Sequence, residues 1–197
     1  SLRMQEHVDA LADILEVRAS RASGDELQQR LEQLRELYSE SLKDIHRTFR
    51  TVGRLLRLRP TDKGLRAALE ESAELAGLWT EAVSLYRELS DGVSTRARRT
   101  LLLRIADIED EKLENVDAAA NALETVVEAH PDDRKVLDRL CALYQTHGRS
   151  SDRARTMHRI LPLTEGEEAL SLRLELAALL LDPLSAREDA FELLRES

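Results

Sequence analysis

The sequence predicts an all-α fold of stacked antiparallel helix pairs, and three observations predict it. The 197 residues hold only one Trp, three Tyr and two Phe, with seven Gly and four Pro. Strands draw on aromatic residues and turns on Gly and Pro, so sandwiches, barrels and collagen are disfavoured. Leu, Ala, Glu and Arg prevail instead, the residues that lose least on entering a helix. Apolar residues recur at spacings of three and four, as in Leu65, Leu69, Ala73 and Ala76 or Val83, Leu85, Tyr86 and Leu89. That is the stripe of an amphipathic helix. The third observation is an internal repeat. Residues 42–62 fall without gaps on residues 113–133, a shift of 71, so that Leu42 meets Leu113, Ile45 meets Val116, Val52 meets Leu123 and Pro60 meets Pro131. The same step carries Leu113, Ala119 and Leu123 onto Leu184, Ala190 and Leu194.

A shorter period sits inside the longer one. Leu31, Leu34, Leu37 and Tyr38 recur 106 residues on as Leu137, Leu140, Leu143 and Tyr144, about three steps of about 35, the size of one helix pair. Pairs therefore alternate in two flavours, and eleven helices are expected. Residues 1–23 form a half repeat, because Asp9–Val17 (DALADILEV) echoes Asn121–Ala129 (NALETVVEA). A break at Ser23-Gly24-Asp25 opens the unit 24–62, which closes at Arg59-Pro60-Thr61-Asp62. The next unit, 63–93, ends at Ser90-Asp91-Gly92, and 94–133 runs through a longer turn, Asp110–Asp117, to His130-Pro131-Asp132-Asp133. Unit 134–164 is divided at His147-Gly148-Arg149-Ser150 and ends at Thr164-Glu165-Gly166, and 165–197 is divided at Asp182-Pro183. Asp or Ser before a helix caps it, Gly closes it in the left-handed conformation, and Pro cannot continue it.

On these residues the chain resembles the tetratricopeptide repeat family. Leu137, Leu140, Cys141, Tyr144, Gly148 and Ala154 follow that family's order of packing residues with one extra residue in the turn, while Gly77 with Ala82 and Ala119 with Pro131 keep its spacing. The resemblance covers nearly the whole chain and is degenerate, since Arg35 and Glu70 stand where small residues are usual. The longer turn and the alternating flavours are similar to the divergent, super-repeated arrays of large bacterial proteins. The resemblance implies a right-handed superhelical solenoid and a protein-binding role. Ala82, Ala119, Ala154 and Ala190 are expected where helices approach closest, because no pair can bury its apolar face alone.

Chemistry is sparse. The formal net charge of −9 disfavours wholesale binding to nucleic acid or anionic lipid. No secretory segment is evident, and the longest apolar run, Leu176–Leu181, is too short to span a bilayer. Cys141 is the single cysteine and has no intrachain disulfide partner, which permits a reducing, cytoplasmic setting. With Ser1 ahead of Leu2 and an abrupt stop at Ser197, the chain reads as a piece of a longer protein. No phosphate loop, paired cysteines, metal-spaced histidines or nucleophile elbow is present, so neither catalysis nor a cofactor or metal is expected. Of the five histidines only His147 and His158 could lie near one another, as a metal site or as surface and capping residues. Cys141 reads as a packed thiol ahead of a nucleophile, and Trp79 as a turn-packing residue or a ligand anchor.

Two surfaces remain as candidates. Arg47, Arg50, Arg54 and Arg57 lie along one helix face within a stretch, Lys43–Arg66, of eight basic and two acidic residues. One period later stand Ala118, Asn121, Thr125 and Glu128, so the fold does not require the stripe. It is either a solvated face paired with acids such as those from Asp107 to Asp117, or a docking patch for an acidic segment, another subunit or a polyanion. With Phe49 as its one aromatic companion, nucleic acid is the least favoured of these. The other surface is the inner groove that the family lines with the first helix of each pair. Here it would carry Glu32, Glu36, Glu71, Glu74, Asp107, Asp110, Lys135 and Asp138, giving way to Leu103, Leu174, Ala178 and Leu181. Acids in this register either keep the surface soluble or attract a basic peptide. The family's carboxylate-clamping Lys and Asn are missing from these positions. The expected function is a non-catalytic protein-interaction scaffold, or else a structural or regulatory arm of a larger enzyme, such as a kinase, or of a transcription regulator. Self-association is expected through apolar ends, at Leu2, Val8 and Leu11 and at Phe191, Leu193 and Leu194.

Overall fold

Short polar side chains fix where the helices begin. The carboxylates of Asp44, Asp62 and Asp133 and the amide oxygen of Asn115 accept hydrogen bonds from the backbone N–H groups of Arg47, Leu65, Val136 and Ala118 at 2.9, 3.0, 3.3 and 3.2 Å. Each satisfies a donor that the first turn would otherwise leave unpaired. Ser23, by contrast, makes no side-chain cap. The computed structural model describes residues 2–181, and among these it contains ten α-helices and no strand. They are α1 (Leu2–Arg21), α2 (Gly24–Glu36), α3 (Ile45–Leu58), α4 (Lys63–Ala76), α5 (Trp79–Ser90), α6 (Thr95–Glu111), α7 (Val116–Ala129), α8 (Arg134–Thr146), α9 (Ser150–Ile160) and α10 (Gly166–Leu181). The eleventh expected helix, with Leu184, Ala190 and Leu194, lies outside the described residues, as do the break at Asp182-Pro183 and the end residues Phe191 and Leu193. None of the described helices is long and apolar enough to cross a membrane.

The 71-residue period reappears in the hydrogen bonds. Leu42 N–H bonds the Leu37 carbonyl and Asp44 N–H that of Tyr38; 71 residues on, Leu113 bonds Ile108 and Asn115 bonds Glu109. In both places the helix widens and stops on a left-handed residue that is not glycine, Lys43 and Glu114, each at φ 51°. The other flavour of turn ends on glycine: Gly77 at φ 69° and Gly148 at φ 66°, with Leu78 N–H on the Ala73 carbonyl and Arg149 N–H on that of Tyr144. Alternation of flavours is therefore an alternation of how the first helix of a pair is terminated. The break after α2, where a π-helical turn covers Leu37–Ser41, carries no Gly or Pro and was absent from the expected breaks for that reason.

The chain divides into two compact units, Ser1–Leu101 and Leu102–Ser197, with the boundary inside α6. In the first unit α1 to α5 each pack on the next along the chain. Their core is built from Leu31, Leu34, Tyr38, Val52, Leu55, Leu56, Leu69 and Tyr86, with Ala82 fully buried among them. In the second unit α7, α8, α9 and α10 pack in succession around Leu123, Val127, Leu137, Leu140, Met157 and Leu176, with Ala119 and Ala154 buried among them. Of the four expected small residues, Ala190 lies outside the described residues, and Ala82, Ala119 and Ala154 are thus buried. Large residues there would force their neighbours off rotamer.

Two outcomes test this account. Leu140 is fully buried, and Leu140→Ala should lower the free energy of unfolding in urea by about 2–5 kcal/mol. Glu114 is strained by its left-handed backbone, so Glu114→Gly should stabilise by about 0.5–1 kcal/mol, the relief exceeding glycine's entropy cost. A drop in denaturation midpoint for that variant would contradict the reading of the turn.

Candidate functional site

The basic stripe lies on α3, and most of it is already engaged within the first unit. Arg54 donates to Glu16 on α1 at 2.7 Å, and the same carboxylate accepts from the buried Tyr38 hydroxyl at 3.3 Å. Arg57 makes a two-pronged contact with Glu88 on α5, both bonds at 2.7 Å. Arg47 pairs with the capping Asp44 at 3.3 Å, and its guanidinium carbon lies 5.5 Å from the centre of the Tyr38 ring. Arg50 is exposed and forms no ion pair among the described residues. The partners are thus Glu16, Glu88 and Asp44 and not the acids from Asp107 to Asp117. Those are claimed in the second unit, by Arg139 on Asp107, His147 on Asp110 at 2.8 Å and Arg149 on Asp117 at 2.9 Å. Phe49 is buried, which removes the one aromatic ring from the exposed face.

The groove acids divide in the same way. Glu32 receives Arg59 at 3.0 Å and Gln28 at 3.2 Å. Glu74 accepts from the Trp79 indole N–H at 3.1 Å, so Trp79 ties the Gly77 turn to the end of α4. Asp138 is bound by Arg134 at 2.7 Å, and Arg134 also reaches Glu168 at 2.8 Å. Lys135 is exposed. Leu103 is half-buried, whereas Leu174, Ala178 and Leu181 are exposed on α10. Of the eight groove residues, Glu36 and Glu71 are the two that the fold brings to one pocket. That pocket, about 510 Å³, lies in the first unit between α2 with its π-helical turn, α3 and α4. Its charged residues are Arg35, Glu36, Glu40, Lys43 and Glu71, and its apolar wall is Ile45, Val52, Ala68 and Leu75. Glu36, Glu40 and Glu71 form no ion pair among the described residues, and Leu75 is 65% exposed. Arg35, noted above as too large for its position, is half-buried here because it faces this space.

The remaining sequence candidates have structural roles. Cys141 is half-buried, and burial pushes its thiol above the ordinary value against the lowering effect of Arg153, which suits packing over nucleophilic chemistry. His147 is held on Asp110, and among the described residues no three His, Cys, Asp or Glu side chains are grouped to hold a metal ion. On α1, Leu11, Ile14 and Val17 are exposed large apolar residues, while Val8 is half-buried.

The Arg57 hydrogen bonds hold the Glu88 carboxyl below its ordinary value. A carboxylate depressed in the folded state stabilises the fold above its unfolded value and loses that contribution as pH falls through the folded one. Both side chains are about half exposed, so Glu88→Gln should cost at most about 1 kcal/mol near neutral pH. Urea titrations of both proteins should show that difference shrinking as pH falls below the ordinary carboxylate range and through the lowered value of Glu88; a difference that widens on acidification would contradict the pairing.

No family model matches the chain, and no curated protein matches it. Among solved structures it is similar to one described as "MamA RS-1 ArsTM double mutant", at 16% identity over 89% of this chain and 96% of that chain, with a TM-score of 0.43. It is similar to a crystal structure of MamA protein at 12% identity, covering 87% and 90% of the two chains, with a TM-score of 0.46. A third is MamA, residues 41 to the end, from Desulfovibrio magneticus RS-1, at 18% identity, 89% and 94% coverage and a TM-score of 0.42.

Proposed function

We propose that this chain is a non-catalytic protein-interaction scaffold and that it holds a basic segment of a partner along the face of α2 and α4 in the first unit. The observation that carries the reading is the pocket with Glu36, Glu40 and Glu71 at its edge and no cation among the described residues paired to any of them. Carboxylates held without partners on rigid helices attract a basic ligand and bind it without first breaking an internal ion pair. The apolar wall supplies area for the non-polar part of the same segment. The α3 stripe is the weaker candidate, because a partner there would compete with Glu16 for Arg54 and with Glu88 for Arg57.

Fluorescence anisotropy with basic, acidic and neutral peptides at two salt concentrations tests this. Basic peptides should bind most tightly and weaken as salt rises. Glu71→Lys should weaken them roughly tenfold or more, whereas Arg50→Glu should leave them unchanged. Equal binding of all three peptide classes would overturn the reading.

A further inference from the structure

The two super-repeats differ at one charged contact in a way that points to a ligand. In the second unit, Asp107 on α6 receives the guanidinium of Arg139 on α8. Seventy-one residues earlier the corresponding positions of α2 and α4 are Glu36 and Ala68, and both line the first unit's pocket. The carboxylate is kept, the arginine is cut back to a methyl group, and open space stands in its place. One period on from the Arg57–Glu88 pair stand Glu128 and Arg159, and Arg159 bonds Glu124 on α7 at 2.7 Å in place of Glu128, so an ion pair between helices is kept through a neighbouring carboxylate. Glu36 keeps its carboxylate where the cation is lost, as Glu81 does one period before Asp152 with its partners Arg149 and Arg155, and Glu36 lines the open pocket.

We infer that this pocket takes an arginine side chain of a partner polypeptide in the role that Arg139 plays within the second unit. The inference rests on the reading of this face as a peptide-binding surface and adds the residue it recognises. The guanidinium meets Glu36 and Glu71, and the aliphatic stem lies along Ala68 and Leu75. Arg35 and Lys43 share the pocket, so two cations oppose three carboxylates and the local field is weak. Recognition then depends on a planar fork that can bond two carboxylates at once and sheds water easily, which favours arginine over lysine. An arginine stem also covers apolar surface while its head stays polar.

The test uses the whole chain and nonapeptides of Ala and Gly with a central Arg, Lys or citrulline, followed by NMR shift titration. Arg should bind roughly tenfold more tightly than citrulline, which keeps the shape and loses the charge, and more tightly than Lys. Ala68→Arg should place the chain's own guanidinium on Glu36 and abolish binding of the Arg peptide, with no loss of helicity by circular dichroism. Glu36→Gln should reduce Arg binding to the citrulline level. Equal binding of Arg and citrulline peptides overturns the inference, as does Arg binding that survives Glu36→Gln undiminished, and the latter decides even if Ala68→Arg fails to fold. Basic peptides that bind wild type and a folded Ala68→Arg equally would remove the pocket assignment and leave the peptide-binding face standing. Failure of every peptide to bind wild type would remove both.

Discussion

No helix pair in this chain can bury its own apolar stripe, and the rest of the structure follows from that. Leu31 and Leu34 on α2 or Leu137 and Leu140 on α8 are fully or almost fully buried because neighbouring helices cover them. Each side chain of that size moved out of water contributes on the order of 1.5–3 kcal/mol, so the apolar positions tolerate little change from one repeat to the next. Stability of this kind is a sum of nearest-neighbour terms. The packing residues therefore recur, and the sequence's freedom is confined to the polar positions around them.

What the chain does with that freedom is mostly ion pairing between one helix pair and the next. Arg54 and Glu16, Arg57 and Glu88, Arg139 and Asp107, and Arg159 and Glu124 are 31 to 38 residues apart, close to one repeat. Exposed pairs of this sort each contribute at most about 1 kcal/mol, far less than the buried leucines. They cannot set the fold. Their effect is on which surface charges remain available, because a carboxylate bonded to an internal arginine has already spent its best geometry.

The fold was legible in the sequence because its signals are local or periodic. The caps at Asp62 and Asp133 and the left-handed glycines at Gly77 and Gly148 depend on a few adjacent residues, and the 71-residue shift that relates each pair is visible by eye. The turns at Lys43 and Glu114 were not legible as left-handed, since neither residue is a usual choice there; their shared period, not their identity, links them. The register of Glu36 and Glu71 on first helices could be read from the packing residues. Their freedom from partners could not, because it depends on Ala68 standing where Arg139 stands later and on Arg59 turning to Glu32. The stripe on α3 misleads for the same reason: composition reports Arg54 and Arg57, and only the fold reports Glu16 and Glu88.

A repeat protein supplies its own control for reading a surface. If the Glu36 position served solubility alone, its paired counterpart Asp107 would be an odd elaboration, since an internally neutralised carboxylate does little for solubility. If it served stability alone, the loss of the arginine at Ala68 would leave nothing to keep the carboxylate, since Glu36 is exposed and forms no internal ion pair among the described residues. The observed combination keeps the carboxylate and omits the internal cation. That pattern fits a position whose cation comes from elsewhere, and at Glu36 it coincides with an open pocket on the α2–α4 face.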